Sequence, residues 1–419
     1  MRLTQLAVAS LRSRRLSAAL TVLIITLSAC LLIGVERIRT QAREGFASTV
    51  SGTDLIVGAR SGPVNLLLYS IFHIGDATNN VSWQSYRELS TLPEVEWAVP
   101  LSLGDSYRGY RVVGTTGAYF EHYRYGAGHG LAFAEGAPFA DVYDAVVGAE
   151  VVRQLRTGIN DHIVLSHGTG KITLAQHADK PFKVVGVLAR TGTPVDSSVL
   201  VSLDGIEAVH VDWQSGVHLP GRGISADQAR HMDLTPTGIT AFMLGLRSRI
   251  AVFSVQRTIN EYPDEALLAI MPGVALQQLW RSMAVAEGAL RVISMLVILL
   301  GLVSMIATLV ASLDARRREM AVLRAIGARP WEIALLLVFE ATGLALVGCV
   351  LSVIALSVST VLARGWVLDE FGLVLTQAGP NLGELCWLAA VVVAGFLSGL
   401  IPALLVYRNT LADGLNPRT

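Results

Sequence analysis

Asp314-Ala315-Arg316-Arg317-Arg318-Glu319-Met320-Ala321-Val322-Leu323-Arg324-Ala325-Ile326-Gly327-Ala328-Arg329-Pro330 is a basic segment between two long apolar runs. Met320, Leu323 and Ile326 recur at a helical interval, so the segment predicts a short amphipathic helix with one apolar stripe and one basic face. Gly327 ends it and Pro330 opens the next helix. The apolar stripe must be covered, either by lipid headgroups or by a groove on a partner inside the cell. The pattern by itself does not choose between them.

The flanking runs are long enough to cross a bilayer, whose core of about 30 Å takes about 20 apolar residues as a helix. Four such spans are expected, at residues 16–35, 292–313, 333–362 and 385–407. The composition agrees: 52% of the 419 residues are hydrophobic, 16% are charged, and the mean hydropathy is +0.51. Soluble domains carry about 25% charged residues. The charges cancel to a net of zero, so no basic excess points to nucleic acid.

Arginine placement orients the spans. Arg2, Arg12, Arg14 and Arg15 precede the first span. Arg316, Arg317, Arg318, Arg324 and Arg329 lie between the second and third. Arg408 and Arg418 follow the fourth. The expected division is a cytoplasmic N-terminus at 1–15, an outer domain with a helical stalk at 36–291, and a cytoplasmic loop at 314–332. A short outer loop at 363–384 and a cytoplasmic tail at 408–419 complete it. Leu27-Ser28-Ala29-Cys30 resembles a lipoprotein cleavage box, but the apolar run continues through Leu31, Leu32, Ile33 and Val35, so an uncleaved anchor is expected. Cys30, Cys349 and Cys386 all fall in apolar runs, so no disulfide framework is implied.

The outer segment reads as α+β, in two small lobes. Residues 80–92 predict a helix with Ser82 as N-cap. Residues 111–114, 145–148, 162–165 and 182–188 predict strands, and 253–261 with 264–271 a further helix and strand. Residues 64–74 are apolar but too short to span. They are a buried core helix or, through Leu66, Leu67, Tyr69 and Phe72, a cargo or dimer surface.

No catalytic or cofactor-binding residue is assigned. Gly168-Thr169-Gly170-Lys171 lacks the spacing of a phosphate-binding loop and reads as a turn. All nine histidines lie in the outer segment. His122 with His129, or His210 with His218, could approach in space, but no pair has the spacing that puts two ligands on one helix face. They are read as surface or core residues, and no metal ligand is assigned. In the spans, Glu340 is an ionisable group where such groups are costly. Gly395 and Gly399 form a small-residue pair that permits close helix packing. Few charges lie in the spans, so a polar pore is poorly supported and force transmission is the better fit.

The segment 317–329, with Arg-Glu-Met-Ala-Val-Leu-Arg-Ala-Ile-Gly-Ala-Arg, resembles the coupling segment of the MacB/FtsX-type family of ABC transporter permeases, which includes lipoprotein-releasing permeases. Glu340 and the Gly343 region are similar to it too, as are Pro402-Ala403 and Leu411-Ala412-Asp413-Gly414-Leu415. Ala145-Val146-Val147-Gly148 and Phe182-Lys183-Val184-Val185-Gly186-Val187-Leu188 resemble the family's outer core. The resemblance implies a multi-pass protein of the bacterial inner membrane with a periplasmic domain. A separate ABC subunit would bind ATP and magnesium, and this chain would bind no cofactor. Arg317, Glu319, Met320, Leu323, Arg324, Ile326 and Gly327 would dock that subunit. A second permease chain, expected to be a second copy, would complete the assembly with a periplasmic adaptor or substrate protein. The implied action is to export or extract cargo by moving the outer domains. The alternative is ATP-driven control of a cell-wall hydrolase or sensor kinase. A membrane-anchored enzyme is the third reading and predicts a compact polar site in the outer domain.

Overall fold

The computed structural model describes residues 15–49, 52–168, 177–214, 217–218, 224–325, 327–371 and 379–413. In chain order the principal helices are α1 (Arg15–Thr49), α2 (Pro63–Ile71), α3 (Trp83–Ser90), α4 (Ala149–Leu155), α5 (Leu203–His210), α6 (Val252–Asn260), α7 (Pro272–Ala325), α8 (Pro330–Phe371) and α9 (Leu382–Asp413). One sheet contains β1 (Leu55–Ala59), β2 (Val95–Tyr107), β3 (Tyr110–Thr115), β4 (Phe133–Gly136), β5 (Asp144–Val147) and β6 (His162–Ile163). It also contains β7 (Ser166–His167), β8 (Phe182–Leu188), β9 (Ser198–Ser202), β10 (Ala241–Leu246) and β11 (Leu267–Ile270). The chain divides into a helical unit (Met1–Gln41, Ala284–Glu370 and Leu375–Thr419) and an α+β unit (Ala42–Met283 with Phe371–Val374).

Four helices are long and apolar enough to cross a membrane: Arg15–Ala47, Pro272–Ala311, Pro330–Val367 and Leu382–Arg408. With no water in a bilayer core, these runs satisfy their backbone groups only by coiling. Their inner faces meet in two clusters. Ile25, Met305, Leu309, Ala341, Ala345, Cys349 and Val391 form one; Ile333, Leu337, Val338, Ala403 and Val406 form the other. Leu300, Leu362 and Leu404 are exposed, as side chains facing lipid would be. The three cysteines are free, with Cys349 buried and Cys386 exposed.

The sheet of the α+β unit runs β11-β1-β10-β2-β3-β9-β5-β8-β4, with β7 paired to β2 and β6 to β8. Only β3–β9 and β5–β8 are parallel among its pairs. The long strand β2 joins two halves. Its first part, through Leu101, pairs with β10, and its second, from Ser102, pairs with β3. At the change of partner Thr240 continues the ladder. Its amide donates to Leu101 O at 2.9 Å, and its hydroxyl accepts from the Leu103 amide at 2.9 Å.

The expected two lobes are therefore a single sheet, and the reason lies in its faces. Side chains alternate along each strand. Ile56, Val99, Val113, Val146, Leu200, Met243 and Ile270 all point into one cluster that underlies both halves. On the opposite face Leu55, Val57, Phe242 and Leu244 form a second cluster, while Val112, Ala145, Val147, Val199 and Val201 form a third. Each half has its own outer core, but the inner core is shared.

Helix α2 covers that shared face. Leu66, Leu67, Tyr69 and Phe72 are buried within it. This corrects the reading of these four as a cargo or dimer surface: they lie in the interior of a single chain. Gly58 of β1 makes the close approach possible, since a Cβ there would sit 2.5 Å from the Tyr69 hydroxyl and 2.6 Å from Leu66 Cδ1.

Candidate functional site

Helix α7 runs unbroken from Pro272 to Ala325. Arg317, Glu319, Met320, Leu323 and Arg324 are therefore its last turns, rather than a short helix set apart as expected. An apolar run followed by helix-forming Ala, Arg, Glu, Met and Leu contains no stop signal until Gly327. Gly327 has φ +99°, the left-handed conformation that ends a helix at low cost for glycine. Ile326 lies outside the described residues. Arg329 follows, and its amide donates to the Glu332 carboxylate at 2.7 Å, capping α8.

Within the helical unit, Gly395 and Gly399 form the seat where α9 crosses α8. A Cβ on Gly395 would fall 2.5 Å from Ala345 Cβ, and one on Gly399 would fall 2.8 Å from Ala341 Cβ. Glu340 is buried beside this contact. The sequence reading missed a second polar feature. Arg37 of α1 donates to Glu384 of α9 through Nε at 3.0 Å and Nη2 at 2.7 Å, and both side chains are buried. Asn381 orders the carboxylate's helix end, accepting from the Glu384 amide at 2.8 Å.

The α+β unit holds the densest group of titratable side chains. Asp105 lies on β2, and His167 sits directly opposite it on β7. His210 ends α5, and His177 lies between β7 and β8. One candidate ligand atom from each falls within 4.8 Å of the others. His167 Nδ1 is 3.1 Å from Asp105 Oδ1, and His210 Nε2 is 3.6 Å from Asp105 Oδ2. The three imidazole centroids are 4.6 to 5.1 Å apart.

His210 Nδ1 is 2.7 Å from Ile206 O and donates to it, which leaves the Nε2 lone pair directed at the cluster. Burial, with the neighbouring His210 charge, lowers the His177 pKa to about 4. Burial lowers that of His210 also, against the opposing pull of Asp105. Both shifts favour the neutral imidazole. Lys180, whose charge acts on His210, is buried and donates to Asp212 Oδ1 at 2.6 Å.

The sequence pairing of histidines was different. His122 stacks on Trp97 at 4.8 Å and His129 packs near Tyr125. Neither belongs to the cluster. The cluster is not legible in the sequence because its four side chains come from four separate chain segments, and only the β2–β7 register and the end of α5 bring them together.

Two domain families match the chain. The MacB-like periplasmic core domain matches residues 18–262, and the FtsX-like permease C-terminal domain matches residues 291–411. The chain belongs to the MacB/FtsX-type ABC transporter permeases. Among solved structures, the periplasmic region of MacB from Actinobacillus actinomycetemcomitans is similar at 12% identity and TM-score 0.34, over 56% of this chain and 94% of that one. The extracellular domain of the noncanonic ABC-type transporter YknZ from Gram-positive bacteria is similar at 12% identity and TM-score 0.31, over 52% of this chain and 99% of that one. No curated protein sequence matches the chain.

As a MacB/FtsX-type permease, the chain is a membrane protein whose α+β domain of the periplasmic type lies between the first and second of four candidate spans. The histidine cluster and α2 fall in the region matched to the periplasmic core. Gly395, Gly399 and Glu340 fall in the FtsX-like part, as do Arg317, Glu319, Met320, Leu323, Arg324, Ile326 and Gly327. An open cleft of about 770 Å³ in the α+β unit is lined by Arg87, Asp204, Arg230 and Asp233, with neither histidine nor cysteine among its lining residues.

Proposed function

We propose that this chain is the permease subunit of an ABC transporter in a bacterial inner membrane, with its α+β domain in the periplasm. A separate ABC subunit binds and hydrolyses ATP with magnesium. The permease turns that cycle into motion of its outer domain, which exports or extracts a periplasmic or membrane-embedded cargo. A second copy of the chain completes the assembly.

The observation that carries this reading is the continuity of α7. One helix contains residues 272–283 of the α+β unit, the second candidate span and the basic segment through Arg324. At 1.5 Å per residue such a helix is about 80 Å long. The basic segment and residues of the outer domain therefore share one helix, the element through which motion would pass. The buried Arg37–Glu384 pair and the glycine seat tie α1 to α9 and α9 to α8, which favours rigid movement of the helices.

The test is co-purification from mild detergent of the full chain carrying Met320→Asp and Leu323→Asp. A stoichiometric ATP-binding subunit should accompany the wild-type chain and be lost from the double variant, while membrane insertion is unchanged. Retention of that subunit by the double variant would sink the docking assignment. A cell-wall hydrolase or sensor kinase in the wild-type complex would replace transport by regulation.

A further inference from the structure

We propose that Asp105, His167, His177 and His210 form a binding site for a divalent transition metal, with Zn2+ the ion that their chemistry suits best. A tetrahedral zinc ion with bonds of about 2.0–2.1 Å holds its donors about 3.3 Å from one another. His167 Nδ1 lies 3.1 Å from Asp105 Oδ1 and His210 Nε2 lies 3.6 Å from Asp105 Oδ2, separations close to that value at the two oxygens of one carboxylate. The whole set lies within 4.8 Å, so closing it on an ion takes side-chain adjustments of about an ångström. Three imidazoles and one carboxylate suit zinc and its first-row neighbours. Calcium and magnesium need more oxygen ligands than this group offers.

Three further observations point to an ion rather than to a satisfied hydrogen-bond cluster. Asp105 is almost wholly buried, and its Oδ1 makes no hydrogen bond of good geometry among the described residues. His210 Nε2 is likewise buried with no hydrogen bond of good geometry among them. Leaving such atoms unsatisfied is costly, and coordination removes that cost. The Ile206 carbonyl holds His210 by its other nitrogen, which is the outer-shell arrangement that fixes a metal-binding imidazole. The positive charge of Lys180 is offset by Asp212 and, at 3.9 Å, by Asp179. Its residual field still disfavours positive charge at His210, and the Asp105 carboxylate acts against that effect.

The ligands come from β2, β7, the segment before β8 and α5. An ion there cross-links four separate stretches of the outer domain, so its binding energy becomes stability of that arrangement. The side chains of His167 and His210 are 30% and 28% exposed, so the rim of the site reaches the surface while the His210 Nε2 atom itself is buried.

The experiment uses the full chain in detergent, stripped with a chelator and titrated with zinc in competition with a chromogenic chelator. One equivalent should bind tightly and raise the melting temperature. Cobalt in its place should give the strong visible absorption of a tetrahedral site. His210→Ala should weaken zinc binding by more than about 100-fold. His167→Gln, at a partly exposed position where folding is least at risk, should abolish both the cobalt band and the zinc-dependent rise in melting temperature. The proposal is overturned if the stripped chain takes no zinc from the chelator, or if both variants bind zinc as the wild type does. An equal rise in melting temperature with magnesium would also overturn it.

Discussion

The guanidinium of Arg37 and the carboxylate of Glu384 meet as a two-pronged pair, at 3.0 and 2.7 Å, although 347 positions separate them in the chain. Removing one partner strands a buried charge, which costs about 3–5 kcal/mol. Glu384→Ala should therefore lower the thermal stability of the full chain in detergent markedly. The double variant Arg37→Met, Glu384→Leu should recover most of the loss. Equal melting points for the single and double variants would show that the pair acts only through its packing.

Lys180 and Asp212 form the corresponding pair in the α+β unit, and they give a pH dependence. Burial alone would raise the Asp212 pKa, but the hydrogen bond and charge of Lys180 hold it below the ordinary value. A depressed carboxyl contributes stability that is present above its unfolded pKa, about 3.9, and is lost as pH falls through the folded value. The wild-type chain should keep this contribution down to about pH 4 and lose it below. In Lys180→Met only the backbone hydrogen bonds from Asp212 and Ile224 still oppose burial, so the acid loss should begin at a higher pH. Melting curves of both chains from about pH 7 to about pH 3 report the difference, because His177 and His210 titrate in both.

Gly395 and Gly399 seat α9 against α8, and their neighbour Gly343 serves as the control. A Cβ at Gly343 meets nothing within 4 Å. Gly399→Ala should cost about 1–3 kcal/mol through overlap with Ala341. Gly343→Ala should be neutral or slightly stabilising, and Gly399→Ala combined with Ala341→Gly should recover only part of the loss, because the Val338 backbone at 3.2 Å remains and a helical Ala→Gly change costs about 1 kcal/mol. Thermal unfolding of the three purified chains decides it, and a destabilised Gly343→Ala chain would argue against the steric cause.

Helix α2 separates core from surface just as directly. Leu66→Ala should cost about 2–5 kcal/mol, as for a fully buried leucine. Ile74→Ala, at a position 54% exposed, should change stability little. Loss of cargo transfer in Leu66→Ala with an unchanged melting point would return this helix to a contact role.

Much of the local structure was legible because its signals are short-range. Ser82 does cap α3, its hydroxyl accepting from the Ser85 amide at 3.1 Å. The run 182–188 is a strand, and α6 and β11 fall within or beside the segments read for them. Four apolar runs imply four helices wherever backbone groups have no water to bond. Strand β2 was not legible, since Pro100 and Gly104 interrupt its pattern and its two halves serve different partners. Nor was the fate of α2, whose apolar run fits a core helix and a greasy surface equally well until the sheet face above it is known.

The sequence by itself determined the four apolar spans, the α+β insertion, the basic segment and the family resemblance, because each rests on composition, periodicity or a contiguous motif. Only the tertiary structure decided that two sheet halves share one core, that Arg37 finds Glu384, and that Asp105, His167, His177 and His210 converge. Those relationships join residues far apart in the chain. Their geometry is set by strand register and helix packing, which local pattern leaves open.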